Sequence, residues 1–133
     1  MRISKDEYYL NIAKEVSQRS TCLTRQYGAI IVKDDEIIST GYNGAPRGTD
    51  NCCDKGFCQR KLSDVKKEDY SDCCSVHAEQ NAMLSAARRD MLGATLYLVG
   101  RENDTEVLDI APCAICARMI KNAGLKVKMR KNL

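Results

Sequence analysis

Hydrophobic and polar residues alternate along the chain with two different periods, which predict helices interleaved with strands. Apolar positions recur every three to four residues over about 4–17, where Ser4 and Glu7 also match a helix capping box. This segment is therefore predicted to be a helix. Two short β-rich runs, 28–32 and 37–41, flank a polar turn and predict a β-hairpin.

The alternation resumes only after a long stretch without any period. Residues 42–75 hold five of the cysteines, and a loop of this length in a compact domain is usually functional or held together by a bound group. Beyond it, the pattern predicts helix 77–89, strand 94–99, a helix from Pro112 to Ala123, and strand 125–129. The order α-β-β-α-β-α-β indicates an α/β fold, in which an antiparallel hairpin is joined to parallel strands by crossover helices.

Length and composition indicate one ordinary soluble domain. The chain has 133 residues, of which 44% are hydrophobic and 29% charged, and we predict a single domain over 1–133. The formal net charge of +3 is too small to indicate a nucleic acid or a membrane surface as a partner. No apolar run is long enough for a membrane helix, and the first residues lack a signal-peptide core, so we expect a cytoplasmic protein.

The counts of three residue types change this picture more than the averages do. The chain has eight cysteines, one histidine and two prolines. In a secreted protein, eight cysteines would suggest disulfides, whereas clustered cysteines in a reducing compartment are more often metal ligands or redox groups. Cysteine-bound metal is therefore the favoured explanation for the long aperiodic stretch.

One set of residues has the composition of a catalytic zinc centre. His77, Cys113 and Cys116 supply one imidazole and two thiolates, and three such ligands leave a fourth position open for water. Cys113 and Cys116 lie three apart in the first turn of a predicted helix, so they share a face, and the helix N-terminus favours the thiolate form. Glu79 is not needed as a ligand, which leaves it free to transfer protons during hydrolysis.

Each of these motifs has a simpler interpretation when it stands alone. A Cys-x-x-Cys pair also occurs as a redox pair or in structural zinc sites, and a His-x-Glu pair alone carries little information. Their coincidence favours the catalytic interpretation, because the only histidine falls in the first motif and a proline immediately precedes the second. The spacing leaves one geometric question: residues i and i+2 of a helix point about 200° apart, so helical spacing does not bring His77 and Glu79 together.

Several segments spanning about residues 4 to 129 match one family in its order. They are Ser20-Thr21-Cys22 followed by Gly28-Ala29-Ile30-Ile31-Val32, then Ser39-Thr40-Gly41-Tyr42-Asn43-Gly44-Ala45-Pro46, Ser75-Val76-His77-Ala78-Glu79-Gln80-Asn81-Ala82 and Pro112-Cys113-Ala114-Ile115-Cys116. In these segments the chain resembles the cytidine and deoxycytidylate deaminase family. The two zinc motifs are shared by zinc-dependent nucleobase deaminases in general, whereas Gly41-Tyr42-Asn43-Gly44 points to the deoxycytidylate branch.

The resemblance implies a fold, a cofactor and a reaction. The fold is a three-layer α/β/α sandwich with a central mixed sheet, as in cytidine deaminases. The resemblance assigns His77, Cys113 and Cys116 to one catalytic zinc ion, and it assigns Glu79 to proton transfer. The implied reaction is hydrolytic deamination of dCMP to dUMP with release of ammonia, carried out by a homo-oligomer.

Three residues are candidates for contact with the nucleotide. The resemblance implies that Asn43 contacts the substrate and that the backbone of Ala78 touches the base. Arg25 is a candidate for the phosphate, because a guanidinium suits bidentate phosphate binding. A solvated surface arginine explains Arg25 equally well.

The six cysteines outside the catalytic motif leave room for a second metal ion. Some deoxycytidylate deaminases carry a structural zinc between the first helix and the long loop, and the resemblance makes Cys22 and Cys52 two of its ligands. Cys58 and Cys73 would complete an all-cysteine site, and an adjacent cysteine could replace Cys52 or Cys73. Such a closed site would order the loop. The alternative is a set of free or buried thiols.

Two other functions fit parts of the sequence. One is a deaminase of another cytosine nucleoside or nucleotide, of a modified base, or of a base in RNA. The small net charge and the few aromatic residues (six Tyr, one Phe and no Trp) weaken the RNA version. The other is a zinc-stabilised binding module without turnover. Glu79 argues against the module, because a purely structural site has no use for a placed general acid–base.

Overall fold

The computed structural model describes residues 1–51, 56 and 75–130, and a mixed five-stranded sheet lies at its centre. The helices and strands, in chain order, are α1 (Lys5–Ser17), β1 (Gln26–Lys33), β2 (Glu36–Tyr42), α2 (Ala78–Leu84), α3 (Arg88–Met91), β3 (Thr95–Glu102), β4 (Thr105–Val107), α4 (Ala114–Ala123) and β5 (Lys126–Met129). The predicted α/β class is therefore confirmed.

Strand β3 is the middle of the sheet, with β1 on one side and both β4 and β5 on the other. Strand β1 is antiparallel to β2 and also to β3, whereas β5 runs parallel to β3. The predicted hairpin is confirmed, and parallel pairing occurs where helix α4 connects β3 to β5. The contact between the hairpin and the later strands is antiparallel.

The two faces of the sheet carry different helices. Ile30 on β1 and Val99 on β3 point towards α1 and form a core cluster with its buried Ala13. Ala29 and Leu98 point to the opposite face and pack in a second cluster with residues of α2 and α4. This alternation buries both faces of the central strands and produces the predicted three-layer α/β/α sandwich.

The ends of the helices follow the capping signals of the sequence. The hydroxyl of Ser4 accepts a hydrogen bond of 3.1 Å from the backbone N–H of Glu7, and Gly124 ends α4 with a left-handed φ of 78°. The longest helix in the described residues, α1, has 13 residues. Among these helices, none has the length and apolar character that a membrane crossing requires.

Two elements differ from the pattern-based prediction. Predicted helix 77–89 is broken after Leu84, because Ala87 is extended and α3 then turns the chain so that Met91 is buried. Strand β4 lies between predicted strand 94–99 and the predicted helix from Pro112, where the pattern predicts no element. Asn103 and Asp104, with φ of 51° and 65°, form a two-residue turn that folds β4 back on β3.

Candidate active site

The N-termini of α2 and α4 converge on the same face of the sheet. His77 is the residue before α2 and Cys113 the residue before α4, and both have extended backbone conformations. The Nδ1 atom of His77 lies 3.5 Å from the sulfur of Cys113 and 3.3 Å from that of Cys116. The fold therefore brings together the three predicted ligands, although 36 residues separate His77 from Cys113.

The spacing of these atoms fits a zinc ion. With Zn–S near 2.3 Å and Zn–N near 2.0–2.1 Å, a tetrahedral centre places nitrogen and sulfur about 3.6 Å apart. All three ligand atoms lie within 4.8 Å of one another, and no other set of three candidate ligands within residues 1–51, 56 and 75–130 comes as close. The imidazole presents Nδ1 to both sulfurs, so this nitrogen is the ligand atom that the geometry selects.

Glu79 reaches the same centre from inside α2. The residue is 5% exposed, and its carboxyl lies close enough to His77 and Cys116 for both to lower its pKa. His77 precedes the helix in an extended conformation (φ −71°, ψ 154°), so the 200° separation of residues i and i+2 does not apply to this pair. Burial raises the pKa of the Glu79 carboxyl, as expected for a group that exchanges protons near neutral pH.

The buried thiol of Cys116 depends on a nearby cation to ionise. Burial raises its pKa, and the Glu79 carboxylate raises it further. The position of Cys116 in the first turn of α4 acts in the opposite direction, because a helix N-terminus favours the thiolate form. The sulfur of Cys113 accepts a hydrogen bond of 3.4 Å from the backbone N–H of Cys116. Metal binding at such a site releases protons.

The segment after β2 is attached to the start of α2. Gly44 and Val76 form an isolated antiparallel bridge, with N–H···O distances of 3.1 and 2.7 Å. The side chain of Asn81 donates a hydrogen bond of 2.9 Å to the carbonyl oxygen of Tyr42. These bonds hold the segment that contains Asn43 beside His77, where the resemblance expects the substrate.

Asn43 has a structural role that the sequence analysis missed. Its buried Oδ1 accepts hydrogen bonds from the Ser20 hydroxyl at 2.6 Å and from the Tyr27 backbone N–H at 2.8 Å. Its Nδ2 donates to the carbonyl oxygen of Arg25 at 3.0 Å. The side chain thus ties the loop between α1 and β1 to the end of β2. A substrate contact for Asn43 stays a prediction.

The other predicted substrate residues lie close to Asn43 or at the start of α2. Ala78 is the first residue of α2 and is fully buried. Arg25 donates hydrogen bonds of 3.3 Å to Glu102 and to the Tyr27 hydroxyl. Its side chain is 42% exposed and is ion-paired with Glu102, and the phosphate contact stays a prediction.

Of the four predicted ligands of the structural zinc, only Cys22 lies within the described residues. Cys22 is partly buried in the loop between α1 and β1, where its carbonyl oxygen accepts a hydrogen bond of 2.7 Å from Gln26. Cys52, Cys58 and Cys73 lie outside the described residues. This second site stays a prediction.

The three-layer fold with a His/Cys/Cys centre at two helix N-termini has counterparts among known proteins. Residues 3–129 match the model of the cytidine and deoxycytidylate deaminase zinc-binding region. The chain therefore belongs to the cytidine and deoxycytidylate deaminase family, and the three converging residues support one zinc ion.

Within this family, several similar proteins are named deoxycytidylate deaminase. The chain is 42% identical over 127 residues to the deoxycytidylate deaminase of Mycobacterium phage D29, covering 91% of this chain and 89% of the phage protein. It is 37% identical to the deoxycytidylate deaminase of Saccharomyces cerevisiae, covering 94% of this chain but 36% of the yeast protein. Its fold matches the dCMP deaminase of cyanophage S-TIM5 in complex with dCMP and dUMP, with a TM-score of 0.70, 29% identity, and coverage of 100% and 85% of the two chains.

Proposed function

We propose that this protein catalyses the zinc-dependent hydrolytic deamination of dCMP to dUMP with release of ammonia. The observation that carries this proposal is the placement of a buried carboxylate, Glu79, beside a His77–Cys113–Cys116 ligand set. The phage relative named deoxycytidylate deaminase matches over nearly its full length, which supports the choice of substrate.

The proposed roles follow from the positions of the side chains. The reaction consumes one water, replaces the amino group at C4 of cytosine with its oxygen, and releases ammonia. When bound by His77, Cys113 and Cys116, zinc supplies a water nucleophile with a lowered pKa. Glu79 accepts the proton of the water, delivers it to the ring nitrogen, and then moves a proton to the departing amino group. The backbone of Ala78 and the amide of Asn43 contact the nucleotide.

The 5′-phosphate separates dCMP from the free nucleoside. Arg25, or the exposed backbone N–H groups of the loop after Asn43, provides charge-assisted hydrogen bonds that deoxycytidine cannot receive. Each such bond contributes roughly 1.5–3 kcal/mol, so two predict a preference for dCMP over deoxycytidine on the order of 10²–10⁴ in kcat/KM. Arg25→Gln should reduce turnover of dCMP while leaving that of deoxycytidine nearly unchanged.

The test is ammonia release from dCMP, CMP, deoxycytidine and cytidine, with kcat/KM measured for each. Equal values for dCMP and deoxycytidine would contradict the phosphate contact and leave the zinc chemistry in place. Activity on none of the four would redirect the assignment to a modified base or an RNA base. Zinc binding without ammonia release from any base would indicate a binding module.

Three further properties are proposed. The resemblance supports a structural zinc bound by Cys22, Cys52, Cys58 and Cys73, and it supports a homo-oligomer. Thiolate ligands persist in a reducing compartment, which supports a cytoplasmic setting.

A further inference from the structure

The metal centre depends on the separation of two helices that lie over different strands. Helix α2, with His77 and Glu79, packs against β1 and β2, whereas α4, with Cys113 and Cys116, leads into β5. Metal–ligand distances in protein sites stay within about ±0.2 Å of their standard values. A displacement of α2 that exceeds this tolerance therefore separates the imidazole from the thiols.

A glycine lies directly beneath α2. A Cβ atom at Gly41 would be 2.3 Å from the backbone nitrogen of Ala82 and 2.4 Å from the carbonyl oxygen of Ala78. Both are backbone atoms, which cannot rotate away as a side chain can. Ordinary contact between such atoms requires about 3.5 Å, so α2 rests on β2 at a distance that glycine alone allows.

The residues that pair across the sheet extend this arrangement towards α4. Gly41 pairs with Ala29, Ala29 with Leu98, and Leu98 with Met129, so the four residues form one row from β2 to β5. Ala29, Leu98 and Met129 all pack in the core cluster that contains α2 and α4. The side chains in this row increase in size from Gly41 on β2 to Met129 on β5. The sheet therefore leaves the most room for a helix backbone at β2, where α2 packs.

We infer that Gly41 is a positioning residue for the metal centre, because the missing Cβ sets the depth at which α2 presents His77 and Glu79 to the thiols of α4. The inference rests on the proposed function only for the identity of the metal. A methyl group at Gly41 forces α2 away from the sheet by about 1 Å. That is several times the tolerance of a metal–ligand distance.

The test compares two glycines on opposite faces of the same strand pair. Gly28 lies beneath α1, where a Cβ would be 2.1 Å from the carbonyl oxygen of Ala13 and 2.5 Å from the backbone nitrogen of Ser17. Gly41→Ala and Gly28→Ala should both lower stability, but α1 carries none of the catalytic ligands. We expect Gly41→Ala to weaken Co²⁺ and Zn²⁺ binding by roughly 10–100-fold and to change the visible spectrum of the Co²⁺ protein. Gly28→Ala should keep the affinity within about threefold, since no change at the ligands is expected.

A milder pair covers the case in which Gly41→Ala fails to fold. Ala82→Ser adds one oxygen atom to the buried face of α2, and Ala13→Ser does the same to α1; both alanines are fully buried. Only Ala82→Ser should weaken metal binding. The inference would be overturned if Gly41→Ala and Ala82→Ser both kept the wild-type metal affinity and Co²⁺ spectrum. It would also be overturned if Gly28→Ala and Ala13→Ser lost as much metal affinity as those two variants. A wild-type protein that binds Co²⁺ yet releases no ammonia from dCMP would contradict the proposed function without affecting this comparison.

Discussion

Glu79 is the residue on which the proposed chemistry depends most directly. Glu79→Gln keeps the shape of the side chain but removes its capacity to exchange protons, and each general acid–base step is worth roughly 10²–10⁴ in rate. We expect deamination to fall by at least that factor while the zinc content stays at the wild-type level. His77→Ala should instead lose the catalytic zinc together with the activity. Retention of most activity in Glu79→Gln would show that another group moves the protons.

The hydrogen bonds of the Asn43 side chain are expected to stabilise the loop next to the metal centre. Asn43→Ala leaves the partly buried Tyr27 N–H without its acceptor, which should lower the free energy of unfolding by about 1–3 kcal/mol. Urea unfolding measures this loss. Thr40→Ala, at an exposed position on β2, is the control and should change stability by no more than about 0.5 kcal/mol. Equal unfolding midpoints for wild type and Asn43→Ala would show that these hydrogen bonds add no net stability.

At the scale of elements, the start of α1 is joined to the sheet by a charge. The Asp6 carboxylate accepts hydrogen bonds from the Tyr97 hydroxyl at 2.7 Å and from the Lys128 ammonium at 2.9 Å. The bond from Lys128, followed by that from Tyr97, holds the pKa of Asp6 below its ordinary value of 3.8. Because the folded-state pKa is the lower one, the stabilisation is present above about pH 4 and is lost as the pH falls towards the folded-state value.

Removing the titrating group should make the stability of the protein depend less on pH in the acid range. Asp6→Asn is expected to lose less stability than wild type when urea unfolding is repeated from pH 6 down to pH 3. Lys128→Gln should flatten the curve in the same way, because Lys128 is the largest cause of the lowered pKa. Curves that stay parallel for all three proteins would show that Asp6 contributes nothing to the acid transition.

Elements with strong local signals were predictable from the sequence, and the others show which signals were too weak. The Ser4 cap and the apolar stripe place α1 within one residue, and Gly124 ends α4 where predicted. The break in predicted helix 77–89 arises because burying Met91 requires a turn, and periodicity does not report tertiary packing. The Asn103-Asp104 pair was an available signal for the hairpin that contains β4.

The site was predictable in its members but not in its geometry. Motif spacing predicted the ligand set of His77, Cys113 and Cys116, which the structure brings together. It also predicted Glu79 as the group that transfers protons, and this role stays a prediction. Spacing could not show that His77 precedes α2 in an extended conformation, which is what allows Glu79 to reach Cys116. The pairing of β3 with β1 also depends on contacts across 63 or more positions, and local periodicity does not encode these.

For the whole molecule, the proposed metal content is two zinc ions per chain. One would be held by His77, Cys113 and Cys116, and the other by four cysteines in a closed site. Metal analysis of protein purified without a chelator measures the ratio. A ratio near one, with Cys58 and Cys73 freely alkylated in the native protein, would contradict the structural site. Removal of a structural ion should also lower the unfolding temperature, since its binding energy is part of the folding energy.

The order of ligands along the chain sets an order of events on the ribosome. Cys113 and Cys116 follow β1, β2 and β3 in the chain, so the ligand set is complete only after most of the sheet has been synthesised. Zinc capture at this centre therefore comes after the synthesis of those strands, and a zinc shortage at that stage would leave the protein without its reactive centre.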